Sequence, residues 1–395
     1  MGSDRPVSSV DGTSADDRMV TKIQWIWQHP NWPDFIWQQS QLGTLLRDIH
    51  QLQGRLLGSV DSVAGEQSLH TEMDALLRNA VNTAAIEGER LDVASVRSSL
   101  ARRLGLDRAG LPPGTPQTDG LVDLLLDATH NYQEPLTTER LFRWHKALFP
   151  TGQSGLTPIR VGELRGEAAM QVVSGPINKP TVHFEAPPQQ RLPAELDVFV
   201  AWFNESRSDR TLDPLLRAGI VHLWFVTLHP FDDGNGRIAR ALTDLALAHA
   251  EHHSVRFYAV AAAIMAQRRG YYHILELTQR NGLDVTNWLE WFLQTLRQAI
   301  QESLDKVQYV LLKAKFWQHH AGTVLNDRQI KVLNRLLDAG PDGFEGGLNS
   351  RKYMGLAKVS KATATRDLAD LLEKGCTRKR SGGGRSTSYD ICWPS

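Results

Sequence analysis

Cysteine is almost missing from this chain of 395 residues: Cys376 and Cys392 are its only two. Two thiols cannot build a disulfide framework, so stability has to come from buried apolar side chains, and a reducing compartment is the default expectation. Net charge is missing too. Forty-four Lys and Arg balance forty-four Asp and Glu, so the overall charge nominates no partner. Long apolar runs are absent. The longest, around Tyr258–Ala266, falls far short of the ~20 residues that a membrane-spanning helix needs. No basic-then-apolar leader opens the chain, and residues 1–18 are polar and read as a disordered tail. A cytoplasmic protein with no membrane partner is expected.

What is present is ordinary for a globular protein, with 41% hydrophobic and 22% charged residues and a slight excess of tryptophan. The length exceeds one typical core, so two or three domains are expected. Residues 22–39, broken by Pro30 and Pro33, read as an extended piece, and apolar spacing predicts a helix from Asp34 to about Ser59. A second helix is predicted over Leu69–Ile86, stopped by Gly88. Further helices follow to Pro150. Between Thr151 and Pro188 the runs "MQVVSG" and "TVHFEAPP" predict a β-hairpin flap. Helices resume from Leu192 to Lys315. From about Leu325, three helices and a ribbon around a glycine-rich tip suggest a winged helix-turn-helix. The expected fold class is mainly α. Its parts are an N-terminal helical region (19–110), a helical core with the flap (111–315) and a winged-helix domain (325–395).

The chemistry concentrates in "LHPFDDGNGRIAR", Leu228 to Arg240. Pro230 ends one helix, "DDGNG" is a turn of residues that tolerate unusual backbone angles, and another helix begins at once. A helix start carries free N–H groups and partial positive charge, so it attracts anions. Gly234 and Gly236 let the backbone approach a bound group, and Asn235 adds side-chain donors. Arg237 and Arg240, three apart, share a helix face and suit the oxygens of a polyphosphate. Asp233 is a hard oxygen ligand beside that site and fits Mg²⁺ held jointly with substrate phosphates. His229 titrates near neutrality and sits where it can take a proton from a nucleophile.

This stretch resembles the signature of the Fic family, His-Pro-Phe-x-(Asp/Glu)-Gly-Asn-Gly-Arg-x-x-Arg, at every defined position. The resemblance covers roughly residues 20–310 and implies a helical core with a flap and transfer of AMP from ATP to a protein hydroxyl. It implies that His229 is the general base and that Asp233 holds Mg²⁺ between the α- and β-phosphates. Gly234, Asn235 and Gly236 would form the anion cradle, with Arg237 steadying the β-phosphate and Arg240 the γ-phosphate. "NTAAIEGER" resembles the family's inhibitory motif, (Ser/Thr)-x-x-x-Glu-(Gly/Asn). Glu87 would then occupy the γ-phosphate position on Arg240, Thr83 would anchor the helix, and Gly88 would complete the motif. In some members the same glutamate orients a water that removes AMP, so a de-AMPylating enzyme is an alternative.

"RRGYYHILELTQ" resembles the adenine-side helix, with Tyr272 facing the base and Gln279 two turns on, where many members carry Asn. The flap could pair with an extended target segment. His249 and His253, four apart, read as a solvated pair rather than a metal site. From Asn349 to Ser395 ten Lys/Arg stand against four Asp/Glu. Ser360, Lys361, Thr363 and Thr365 on the second helix, with Arg378, Lys379, Arg380 and Arg385 on the wing, could meet DNA. The expected partners are therefore a target protein with a Ser, Thr or Tyr hydroxyl, DNA, and a second copy of the chain. A nucleotide-sensing DNA-binding regulator and a transferase using another nucleotide donor are the remaining alternatives.

Overall fold

The computed structural model describes residues 25–61, 66–106, 113–175, 181–251, 257–280, 282–340, 343–381 and 387–394. The expected tail at 1–18, the wing tip with Arg385, and His253 lie outside them. The fold is mainly helical. A short 3₁₀ turn (Ile26–Gln28) precedes α1 (Gln39–Asp61), α2 (Glu66–Ile86), α3 (Val93–Arg103), α4 (Pro116–His130) and α5 (Thr138–Leu148). The strands β1 (Gln153–Ser154) and β2 (Thr157–Pro158) form one small antiparallel pair. The flap is a second, β3 (Gln171–Ser174) with β4 (Thr181–Glu185), with a register shift between Val172 and Val173. Then come α6 (Leu192–Glu205), α7 (Pro214–Leu228), α8 (Asn235–Glu251), α9 (Val260–Ala266), α10 (Arg268–Gln279) and α11 (Thr286–His319). The chain continues through α12 (Asp327–Asp338), α13 (Ser350–Ala357), α14 (Lys361–Glu373), and the antiparallel pair β5 (Thr377–Lys379) and β6 (Tyr389–Ile391).

Local chemistry explains the helix starts. Asp92, Thr115, Thr137, Asp213, Asn326, Asn349 and Ser360 each accept a hydrogen bond from a first-turn N–H of the helix they precede. The helix expected from Asp34 begins later, at Gln39. Ile36 is held extended by a parallel bridge to Asp284, with its N–H on the Leu283 carbonyl and its own carbonyl accepting from Val285.

One apolar core runs through α1 to α11, and α7 is its axis, buried from Leu215 to Leu228. Helix α7 lies along α8 and also against α6 and α11, and α1 runs along α11. Gly219 permits the close approach of α11: a Cβ there would stand 2.9 Å from Leu289, and Trp288 Nε1 donates to the Gly219 carbonyl at 2.9 Å. A separate core forms around Val332, Leu336, Tyr353, Leu368 and Ile391, with Phe316 from the end of α11 as its bridge.

One polar group buried in the first core is matched on both sides. His222 sits between Thr243 Oγ1 at 3.0 Å and Tyr271 OH at 2.9 Å. Thr243 spends its own proton on the Ala239 carbonyl, so His222 Nδ1 donates and Nε2 accepts from the tyrosine. Burial pushes the pKa of this neutral ring down to about 3.

Helices α4 and α5 meet at Gly120, where a Cβ would stand 1.8 Å from the Ala147 carbonyl oxygen. Backbone cannot move aside as a side chain can. Gly120→Ala should lower stability by about 1–3 kcal/mol, read as a lower urea midpoint; an unchanged midpoint would contradict this packing.

Candidate functional site

The loop between α7 and α8 is held from several sides. His229 takes the left-handed conformation at the end of α7, with φ 49°, and Gly234 does so at the other end, with φ 81°. A Cβ on Gly234 would stand 2.8 Å from Phe149. The Asn235 side chain accepts from the Phe231 N–H at 3.0 Å and donates to the Phe231 carbonyl at 2.8 Å. Its amide therefore shapes the loop, and the expectation that it offers side-chain donors to an anion is not met.

Arg165 and His145 complete the frame, and neither was singled out in the sequence. Arg165, 1% exposed, donates from Nε to the His229 carbonyl at 2.9 Å and from Nη2 to the Pro187 carbonyl, and its N–H bonds Pro230. His145 stacks on Phe231 at 4.2 Å and accepts at Nδ1 from the Gly162 N–H, so its Nε2–H donates to the Asp233 carbonyl at 3.1 Å. No local pattern marks these two residues, because their partners lie far along the chain.

The same logic sets the tautomer of His229. Its Nδ1 lies 3.1 Å from the Val226 carbonyl, which can only accept, so Nδ1 carries the proton and Nε2 keeps a free lone pair. Burial holds its pKa below the usual imidazole value, so the ring is a neutral base at pH 7.

Helix α2 ends directly over the start of α8. Thr83 is buried and accepts from Arg240 twice, at Oγ1 (2.6 Å from Nε) and at its carbonyl (3.0 Å from Nη2). Glu87 Oε1 lies 2.7 Å from Arg240 Nη2. Gly88, with φ 85°, turns the chain out of the helix. Glu89, not anticipated from the sequence, places Oε2 2.8 Å from Arg237 Nη1. Both arginines thus face carboxylates from one short segment. Arg237 Nε and Arg240 Nη1 remain buried without a hydrogen-bond partner. Gly236 makes room for the Glu87 carboxylate: a Cβ there would stand 2.2 Å from Oε1. The Ile86 carbonyl is bound by Tyr272 OH at 3.0 Å and Arg268 Nε at 2.7 Å.

Two clefts adjoin at this segment. One, of about 710 Å³, is lined by His229, Gly236, Glu87, Tyr272, Gln279 and flap residues including Val173. Tyr272 is exposed there, while Gln279 is buried and donates to Thr227 Oγ1 at 3.1 Å. The other, of about 380 Å³, is lined by Glu87, Glu89, Phe149, Ser154, Asp233 and Arg237. The Asp233 carboxylate accepts from Ser154 Oγ and lies 3.7 Å from Arg237. No group of three or more metal-ligating side chains occurs among the described residues. Any cation here would share one carboxylate with oxygens from a ligand. The flap lines the larger cleft, tied to α10 by His183 Nδ1 on Glu276 (2.9 Å) and by Arg280 on the Val182 carbonyl (2.7 Å). His249 is buried against Tyr132 and away from this site.

The helical core thus sets an imidazole with a free Nε2 beside a glycine-floored, arginine-lined helix start. Residues 135–247 match the Fic/DOC family, and the chain is a Fic-domain protein. Residues 25–106 match a domain of unknown function, DUF4172. The protein adenylyltransferase Fic of Drosophila ananassae is 26% identical over 249 residues, covering 60% of this chain and 45% of the relative. That of Drosophila melanogaster is 26% identical over 245 residues, covering 60% and 46%. The chain thus spans just under half the length of these curated relatives. A uridine 5'-monophosphate transferase of Xanthomonas campestris pv. campestris is 34% identical over 117 residues, covering 29% of this chain and 21% of the relative. The fold is shared with a Fic family protein from Desulfovibrio desulfuricans G20 (TM-score 0.50, 19% identity, 89% of this chain and 95% of that one). It is also shared with a Fic-domain signaling protein from Bacteroides thetaiotaomicron (TM-score 0.50, 19% identity, 66% and 95%). Among the described residues no helix is long and apolar enough to cross a membrane.

Burial depresses the pKa of His145 to about 4 and that of His222 to about 3, against an ordinary 6.5. The unfolded chain therefore binds these protons first. Their full contribution to stability is present above about pH 6.5 and is lost as pH falls through the window below it. Each ring adds up to about 1.4 kcal/mol per pH unit to that loss. Urea midpoints should fall steeply between pH 6.5 and 4, and less steeply in His145→Gln measured against its own value at pH 7. Equal slopes would show that His145 titrates normally.

Proposed function

We propose that this chain transfers AMP from ATP to a Ser, Thr or Tyr hydroxyl of a target protein, and that the helix end Thr83–Gly88 holds it inactive. The observation that carries this reading is the Glu87 carboxylate, seated over Gly236 on the buried guanidinium of Arg240 beside a poised His229. A carboxylate there stands in for phosphate oxygens. The two orphaned guanidinium nitrogens and the space above Gly236 fit an anion with more oxygens than a carboxylate offers.

With the segment displaced, the β- and γ-phosphates would take the places of Glu89 and Glu87 on Arg237 and Arg240. The backbone N–H groups of the α8 start would hold phosphate oxygens, and the adenine would lie in the larger cleft by Tyr272 and Gln279. Asp233, half-exposed at the edge of the smaller cleft, would hold Mg²⁺, which supplies charge neutralisation between the phosphates. His229 Nε2 would take the proton of the target hydroxyl as its oxygen attacks the α-phosphorus and pyrophosphate leaves. The larger cleft opens onto the flap, so the flap would present the target segment. The adenylyltransferase relatives support ATP as donor, and the uridine monophosphate transferase makes UTP the comparison to run.

Labelled nucleotide and mass spectrometry test the reading together. Glu87→Gly should raise NMP incorporation by about 10- to 100-fold, the factor that a charged hydrogen bond of about 1.5–3 kcal/mol represents. Glu89→Gln should raise it less, because its carboxylate is more exposed. His229→Ala should abolish it in every background. Equal incorporation by wild type and Glu87→Gly would remove the inhibitory role. No incorporation from any triphosphate would remove the transferase.

We further propose that residues 325–395 form a winged helix that binds DNA. Lys361, Arg366, Arg378 and Lys379 are exposed and carry no carboxylate partner among the described residues. Ser360 caps α14, Thr365 bonds the Lys361 carbonyl, and Arg380 lies 3.5 Å from Asp390, so the lysines and the other arginines would carry the phosphate contacts. Duplex DNA should retain the full chain in a salt-dependent manner, and Arg378→Ala with Lys379→Ala should lower both affinity and salt slope. Retention unaffected by the double change would exclude the ribbon.

A further inference from the structure

The β5–β6 ladder pairs Thr377 with Ile391, Arg378 with Asp390 and Lys379 with Tyr389. One step beyond the strands the backbones still touch on one side: the Cys392 N–H donates to the Cys376 carbonyl at 3.1 Å, while the Cys376 N–H turns to the Leu371 carbonyl at 2.9 Å. Residues opposite one another in an antiparallel ladder have Cα atoms ~4.5–5.5 Å apart. Disulfides span Cα separations of ~4.4–6.8 Å. Both thiols are free. Cys376 is fully buried and Cys392 is half-buried.

A base stands beside the buried thiol. Cys376 Sγ lies 3.7 Å from His320 Nδ1, which also meets Thr323 Oγ1 at 3.2 Å. His320 is 5% exposed, and its Nε2 has no partner. Burial raises the Cys376 pKa, partly offset by the Lys374 ammonium. Cys376 is therefore a protected thiol that needs help to ionise, whereas Cys392 is the one that solvent reaches.

We propose that Cys376 and Cys392 are a reversible redox pair, closed to an intrachain disulfide by a small disulfide such as oxidised glutathione. The proposal is independent of the nucleotide site. The Cys392 thiolate attacks one sulfur of the oxidant, whose S–S bond breaks and releases one glutathione thiolate. Cys376 then gives its proton to His320 Nδ1, and its sulfur attacks the Cys392 sulfur of the mixed disulfide, expelling the second glutathione. Two protein thiols lose two electrons and two protons, and one glutathione disulfide becomes two thiols. The bond would close the ribbon at its open end. It would also tie Trp393, which contacts Phe316 and Tyr309 of α11, to the base of β5.

The full chain, incubated in native buffer with excess oxidised glutathione, alkylated with iodoacetamide and weighed intact, tests the pair. The expected product is a monomer that carries no alkyl group, is lighter by two hydrogens, and reverts with dithiothreitol. A peptide map should join Cys376 to Cys392. Cys376→Ser should stop at one glutathione on Cys392, and His320→Gln should accumulate the mixed disulfide and slow closure by at least about tenfold. Should Cys376→Ser fail to fold, the wild-type map and Cys392→Ser decide, the latter taking no glutathione at all. Two alkylated thiols, two glutathiones per chain or disulfide-linked dimers would each overturn the proposal.

Discussion

Everything around the site follows from one buried cation. Arg240 is 3% exposed, and a guanidinium at that depth must be paired or the fold bears an uncompensated charge. Thr83 meets Nε and Nη2 and Glu87 meets Nη2, which leaves Nη1 without a partner, so the end of α2 is drawn onto the start of α8. The helix dipoles act on Glu87 in opposite senses. Its position just beyond the C-terminus of α2 disfavours a negative charge, whereas the nearby N-terminus of α8 favours one. The carboxylate is thus held by its partner across the cleft rather than by its own helix.

The rest of the cradle is built not to move. Gly234 and His229 take left-handed angles, Asn235 staples the loop to itself, and His145 and Arg165 grip its carbonyls from elements far along the chain. Glu87 and Glu89, by contrast, reach the site from a turn with exposed neighbours. Such preorganisation suits chemistry in which orientation and charge placement supply most of the rate.

Much of this was legible beforehand. Helices α2 and α4 to α8 declare themselves by apolar spacing and by capping residues, and the flap by two short β-branched runs. The run from His229 to Arg240 is contiguous, so its glycines, histidine and arginines could be read as one unit. The role of Asn235 was misread because its side chain bonds Phe231 within the loop, a geometry that composition does not express. The start of α1 was misplaced because the bridge between Ile36 and Asp284 holds the chain extended there.

The order of the elements and the left-handed turns of the loop were determined by the sequence itself, because periodicity, caps and glycine positions act over a few residues. Only the tertiary structure decided which carboxylates meet the two arginines, which buried histidine and arginine brace the loop, and that the backbones of the only two cysteines meet. Those pairings depend on how packed helices and strands converge, and burial turns each into a requirement. Polar atoms removed from water must find partners wherever the fold has placed them, however distant they are along the chain.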